Sequence, residues 1–168
     1  MHMFRHTPST GKQFLALAGF LIVTYLTAAI GAVGSLNAQQ FYAELNLPAF
    51  APPAWLFGPV WTVLYGMMAI AAFLVWRRAG WRYGDTALIL FLVQLILNGL
   101  WSWIFFAWYQ GFWALVEILA LLVAIVATTA AFWKHSKVAA FLMLPYLGWV
   151  TFATVLTFSL WRLNPTVL

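Results

Sequence analysis

Cysteine is absent from the 168 residues, and charge is nearly so, at 7% of the chain. Without cysteine there is no disulfide, no thiolate nucleophile and no thiolate metal site. Histidine occurs three times, at His2, His6 and His135, always outside the long apolar runs. Those runs therefore offer no axial ligand for a haem iron or a transition metal, and no metal site is expected. Acids number three, Glu44, Asp85 and Glu117. That set gives no carboxylate pair or Ser-His-Asp arrangement, the chain has no P-loop, and proton-coupled transport would need more than one buried acid.

What is present is apolar. Hydrophobic residues make up 65% of the chain and aromatic residues 19%. No soluble domain of this length hides so much apolar surface. Five runs, at about 14–36, 55–76, 86–106, 112–133 and 138–161, reach the roughly 20 residues that a ~30 Å hydrocarbon core requires. The expected fold is an all-α integral membrane protein, a bundle of five transmembrane helices forming one domain over 1–168. The first run exceeds the length of a signal-peptide core and is read as a retained helix. Arg5, Lys12, Arg77, Arg78, Arg82, Lys134 and Lys137 all fall at one end of such a bundle, and Arg162 alone at the other. The positive-inside rule then places the N-terminus in the cytoplasm and the C-terminus outside, in what the charge bias suggests is a bacterial cell membrane. The net charge of +5 reads as a topology signal and not as a nucleic-acid surface.

Tryptophan is the abundant oddity, with eleven copies. An aromatic belt at each interface accounts for Trp76, Trp81 and Trp133 at one end and Trp55, Trp103, Trp108, Trp113 and Trp161 at the other. Trp61, Trp101 and Trp149 fall deeper and need another partner. Gln94, Asn98, Trp101 and Phe105 recur at spacings of four, three and four, and so share one helical face. Tyr146, Trp149, Phe152 or Ala153, and Leu156 share another, and Trp61 and Tyr65 lie one turn apart. Their depths agree, which suggests a pocket lined by flat aromatic surfaces and a few amides. The competing reading is that Gln and Asn are interhelical glue worth ~0.6 to 2 kcal/mol and that the tryptophans simply pack.

The stretch LPAFAPPAWLFGPVW at 47–61 holds four prolines and no charge. A turn so apolar is built to lie against something apolar, and the loop at about 37–57, with Pro48, Pro52, Pro53 and Trp55, reads as a lid over the pocket. Glu117, about five residues into the fourth run, either serves a function or snorkels to the nearby surface. Small residues at Ala28, Gly31, Ala32 and Ser35, and at Ala120, Ala124 and Thr128, permit close helix packing or dimer contacts.

Three motifs together resemble one known family: FAPPAWLFGPVWTVLY at 50–65, QLILNGLWSWIFF at 94–106 and PYLGWVTFATVLTFSLWRLN at 145–164. The chain is similar over essentially its whole length to the TspO/MBR proteins, the tryptophan-rich sensory and translocator proteins, or peripheral-type benzodiazepine receptors. The resemblance implies a five-helix, commonly dimeric bundle that binds porphyrins such as protoporphyrin IX, haem, sterols and benzodiazepine-type ligands beneath the loop between the first two helices. Carried over by motif, the ligand contacts correspond to Trp61, Asn98, Trp149, Phe152 and Ala153, with Trp113 and Leu156 as secondary lining; Tyr65, Gln94 and Trp101 come from the facial pattern above. Glu117 corresponds to the family's acidic position. Two departures stand out: Thr157 where an asparagine is usual, and Phe158 where a proposed sterol-recognition pattern needs tyrosine.

By this resemblance the leading expectation is a membrane receptor or sensor for tetrapyrroles, with porphyrin or haem as ligand and no required cofactor, associated with translocation or with regulation of tetrapyrrole metabolism. One alternative is light- or oxygen-dependent porphyrin breakdown with Trp61 or Trp149 as electron donor. The other is sterol or porphyrin transport, for which internal repeats and paired buried charges are lacking.

Overall fold

The computed structural model describes residues 8–168, so Arg5, His2 and His6 lie outside the described residues. The described chain is helical, with no strand. Helix α1 spans Thr10–Gly34, α2 is the short Ala38–Glu44, α3 runs Phe57–Ser102, α4 Gly111–His135 and α5 Lys137–Leu163. A 3-10 turn, Ala54–Leu56, leads into α3, and a π-helical turn, Trp103–Ala107, ends it. Four stretches are long and apolar enough to cross a membrane: Thr10–Gly34, Ala54–Ala107, Gly111–His135 and Lys137–Leu163.

The second of these doubles back. At Gly80 the backbone takes φ 63°, ψ −174°, a conformation essentially confined to glycine because any Cβ would clash. A straight helix would hold residues 65 and 98 about 50 Å apart. Instead the Tyr65 hydroxyl donates to Asn98 Oδ1, and Gln94 Nε2 approaches Met68 Sδ at 3.8 Å. So α3 is a hairpin of two arms, 57–79 and 81–102. A connecting loop was expected between runs ending at 76 and starting at 86; the helical conformation instead persists through RRAGWRYGD and a single glycine makes the reversal.

Contacts identify the two ends of the bundle. At one end Arg78 Nη1 donates to the His135 carbonyl at 3.4 Å, beside the one-residue turn between α4 and α5, where Ser136 Oγ accepts from Ala139 N at 3.3 Å as an N-cap. At the other end the loop after α1 meets the end of α5 through Asn46 and Asn164. Gly111 opens α4 there, so close to Trp161 and Leu168 that an added Cβ would lie 2.8 Å from each. The core between the ends is built from the inward faces of both α3 arms, α4 and α5, with Met68, Phe91, Leu121, Ile125, Met143 and Tyr146 almost wholly enclosed. Helix α1 packs on α3 and is the most exposed of the long helices.

Two tryptophans assigned to the belts are drawn inward. Trp76 is buried beside Phe73, their ring centroids 6.2 Å apart. The Trp103 indole lies across Gly34, where a Cβ would come within 3.0 Å of its ring, and donates to the Ile30 carbonyl at 3.1 Å. A belt position is defined by depth alone, whereas these rings are claimed by the helix beside them. Trp55, Trp81, Trp108, Trp113 and Trp133 do remain exposed.

Candidate functional site

A cavity of about 690 Å³ lies between α1, both arms of α3, α4 and α5. Trp61 and Tyr65 come from the first arm of α3, Asn98 and Trp101 from the second, and Trp149, Ala153 and Leu156 from α5. The helical spacing that predicts shared faces is what brings these seven together. Trp101 stacks on Phe105, one turn on, with centroids 5.1 Å apart and planes 10° off parallel, and both line the space. Ile118 and Leu121 of α4 complete the inner wall.

Other expected residues sit elsewhere. Gln94 shares the face of Asn98 but lies one turn deeper, fully buried and off the cavity wall. Phe152 also stays off the wall, its ring 5.5 Å from that of Trp149 and 6.2 Å from that of Phe50. Trp113 is exposed on α4. Of the lid residues, Trp55 reaches the lining and Pro48, Pro52 and Pro53 do not. Glu117 is 8% exposed, which sets aside snorkelling, and neither carboxylate oxygen has a partner among the described residues.

At the inner end of the cavity the polar groups satisfy one another. The Tyr65 hydroxyl donates to Asn98 Oδ1; Asn98 Nδ2 donates to the Tyr146 oxygen at 2.8 Å; the Tyr146 hydroxyl donates to Gln94 Oε1 at 2.8 Å. Both α3 arms and α5 are thereby tied to one another midway along the bundle. The indole N–H groups of Trp101 and Trp149, in contrast, are enclosed and meet no acceptor among the described residues. Their rings line the space, while the N–H groups themselves are covered by neighbouring side chains.

The segment over the cavity is ordered and pinned. Within the expected loop, α2 supplies Ala38, Gln39 and Tyr42 to the lining. The Tyr42 hydroxyl donates to the Pro52 carbonyl at 3.0 Å and its ring meets Phe57 at 5.6 Å. Burial pushes its phenol up, so it remains a donor at neutral pH. Asn164, at the end of α5, accepts from Asn46 N at 2.8 Å and donates through Nδ2 to the carbonyls of Asn46 and Leu160, at 3.1 and 2.8 Å.

Sequence reasoning missed the α1 wall, made of Tyr25, Ala28, Ala29, Gly31, Ala32 and Ser35. The row of small residues was the available signal, and it was read as helix packing. That holds for Gly31, whose added Cβ would touch Ser102 at 3.4 Å, but Ala28, Ala29 and Ala32 face the cavity.

Residues 18–162 match the TspO/MBR family. The chain is 41% identical over 140 residues to the tryptophan-rich protein TspO of Archaeoglobus fulgidus, covering 81% of this chain and 90% of that one. It is 41% identical over 160 residues to the protein of the same name from Chlorobaculum tepidum, covering 92% and 99%. Against the translocator protein of Homo sapiens it is 41% identical over 128 residues, covering 74% and 75%. With its long apolar helices, the chain is an integral membrane protein.

Proposed function

The chain belongs to the TspO/MBR family, and from that premise we propose that it is a receptor whose cavity binds a flat, largely apolar macrocycle, with protoporphyrin IX and haem as the type ligands. The observation that carries the reading is the wall itself: Trp61, Trp101, Trp149 and Tyr65 surround one space of about 690 Å³, a size suited to a single organic ligand. Aromatic faces bind a macrocycle by stacking. Among the described residues no Lys, Arg or His lines the space, so a porphyrin's carboxylates extend toward loop backbone or water, since burying them unpaired is costly. Sterols and benzodiazepine-type compounds enter this reading as competing apolar ligands.

The same reading takes the hairpin α3 as two crossings, making five in all. The end bearing Lys12, Arg78 and Lys137 faces the cytoplasm of a bacterial cell and the end bearing Arg162 faces outside, as the distribution of basic residues favours. Loop 37–57 acts as the lid, and the bundle pairs as a homodimer. Porphyrin titration of the detergent-solubilised protein, followed by tryptophan fluorescence, tests the binding. Saturable quenching is expected in the wild type. Removing one stacking ring, in Trp61→Leu or Trp149→Leu, forfeits about 0.5–1.5 kcal/mol, roughly a two- to tenfold weaker Kd. Quenching that never saturates, or is indifferent to both changes, defeats the porphyrin reading.

A further inference from the structure

The cavity has two candidate openings, one under the loop at the end of the bundle and one at its side. The first is bridged by the hydrogen bonds of Asn164 and Tyr42, although Leu36, Gln39 and Trp55 beside it line the cavity and are exposed. The second is the seam between α1 and the first arm of α3, and there the wall is made of residues with little or no side chain.

Ala29 and Ala32 on α1, and Gly58 and Thr62 on α3, line the cavity along this seam and are exposed. Side chains this small, exposed along one seam between two helices, leave the wall thin there. At Gly58 there is open space, since an added Cβ would meet nothing within 4 Å. The seam closes below at one side chain. Tyr25, 39% exposed, crosses it and donates to the Thr62 carbonyl at 2.8 Å. Gly66 allows this approach, because a Cβ there would lie 3.0 Å from the Tyr25 hydroxyl. From Tyr25 to the end of α1 at Gly34 is nine residues, so the slot is about 14 Å long, close to half the ~30 Å hydrocarbon thickness. Its flanks, Leu26, Ile30, Val33 and Val63, are exposed and aliphatic.

We infer that the cavity opens sideways into the bilayer through this slot, with Tyr25 as its sill, and that its ligands come from the hydrocarbon phase and not from water. The inference rests on the reading that the cavity is a binding site, and it narrows the ligand class to molecules that partition into lipid. Partitioning also removes the need for a cation at the cavity mouth, since the apolar body of the ligand slides in while any ionised groups stay near the headgroups.

The test needs no ligand, so it stands apart from porphyrin binding. Because the chain has no cysteine, a nitroxide can be attached uniquely at Ala153→Cys on the inner wall, in protein reconstituted into phosphatidylcholine vesicles. Its collision rates with oxygen, which concentrates in lipid, and with a water-soluble nickel chelate report what the cavity opens to. High oxygen and low nickel accessibility are expected. Gly58→Leu, whose Cβ meets nothing within 4 Å, should cut oxygen accessibility at least twofold, and Ala32→Leu serves as a second plug should the first not fold. Asn164→Ala, which frees the loop, should leave the oxygen signal in place. Nickel accessibility that exceeds oxygen accessibility, or a signal that answers to Asn164→Ala and to neither plug, overturns the inference and gives the passage to the lid. Lateral opening without porphyrin quenching would refute only the choice of ligand.

Discussion

Tyr146 is the most informative residue to change, because its ring and its hydroxyl have separable jobs. The ring is fully enclosed, 6.1 Å from that of Trp61, and the hydroxyl both accepts from Asn98 and donates to Gln94. Tyr146→Phe keeps the ring and deletes two hydrogen bonds, stranding one amide N–H on Asn98 and one amide oxygen on Gln94. Hydrogen bonds between membrane helices average ~0.6 kcal/mol with a maximum near 1.7, so the loss should be about 1 to 3 kcal/mol. The upper part of that range applies if the stranded groups find no other partner, since leaving a buried polar group unmade costs about 1–3 kcal/mol. Reversible unfolding in mixed detergent micelles, followed by circular dichroism, measures it. A cycle with Gln94→Leu adds the decisive control: the double variant should be less destabilised than the two single changes added together, because Gln94→Leu removes the group that Tyr146→Phe strands. A Tyr146→Phe protein within 0.3 kcal/mol of wild type, or strictly additive changes, would show that these polar side chains do not hold the bundle together.

Two further changes probe other features. Gly80→Ala places a Cβ on a backbone at φ 63°, ψ −174° and should cost about 1–3 kcal/mol, whereas Gly19→Ala, in α1 with nothing within 4 Å of the new Cβ, should be neutral or stabilising by up to ~1 kcal/mol; equal effects in thermal melts would refute the hairpin argument. Glu117→Gln keeps the shape of a buried, unpartnered carboxyl group and removes its ionisation, so the melting midpoint should hold or rise; a fall of several degrees would mean that the carboxyl group has a partner the folded chain depends on.

The long helices and the three faces that meet at the cavity were legible in the sequence for a common reason. Each aromatic or amide side chain among aliphatic neighbours marks its own angular position, so Trp61, Asn98, Trp101 and Trp149 could be placed on faces from spacing alone. The α1 wall carries no such mark, because Ala28, Ala29 and Ala32 act by leaving room. The hairpin was hidden for a different reason. The polar stretch 77–85 looks like a loop by composition, yet its residues are compatible with helix, and one glycine suffices for the reversal. Depth was the third gap, since periodicity fixes an angle and not whether a residue lies at the wall or a turn below it, as Gln94 does.

That last distinction bears on which groups read a ligand. Asn98 lines the cavity, but its oxygen already accepts from Tyr65 and one of its N–H groups is held by Tyr146. An amide has two N–H donors and two lone pairs, so only half its capacity is left to face inward, on a side chain 4% exposed. The indole N–H groups of Trp101 and Trp149 meet no acceptor among the described residues, yet they are covered by their neighbours and closed off from the cavity. From sequence, the amide looks like the polar reader of the pocket and the tryptophans like its apolar walls; the hydrogen bonds give the amide to the bundle first. Asn98 therefore serves first to hold the helices that carry the aromatic wall, and a ligand should be held chiefly by the faces of that wall.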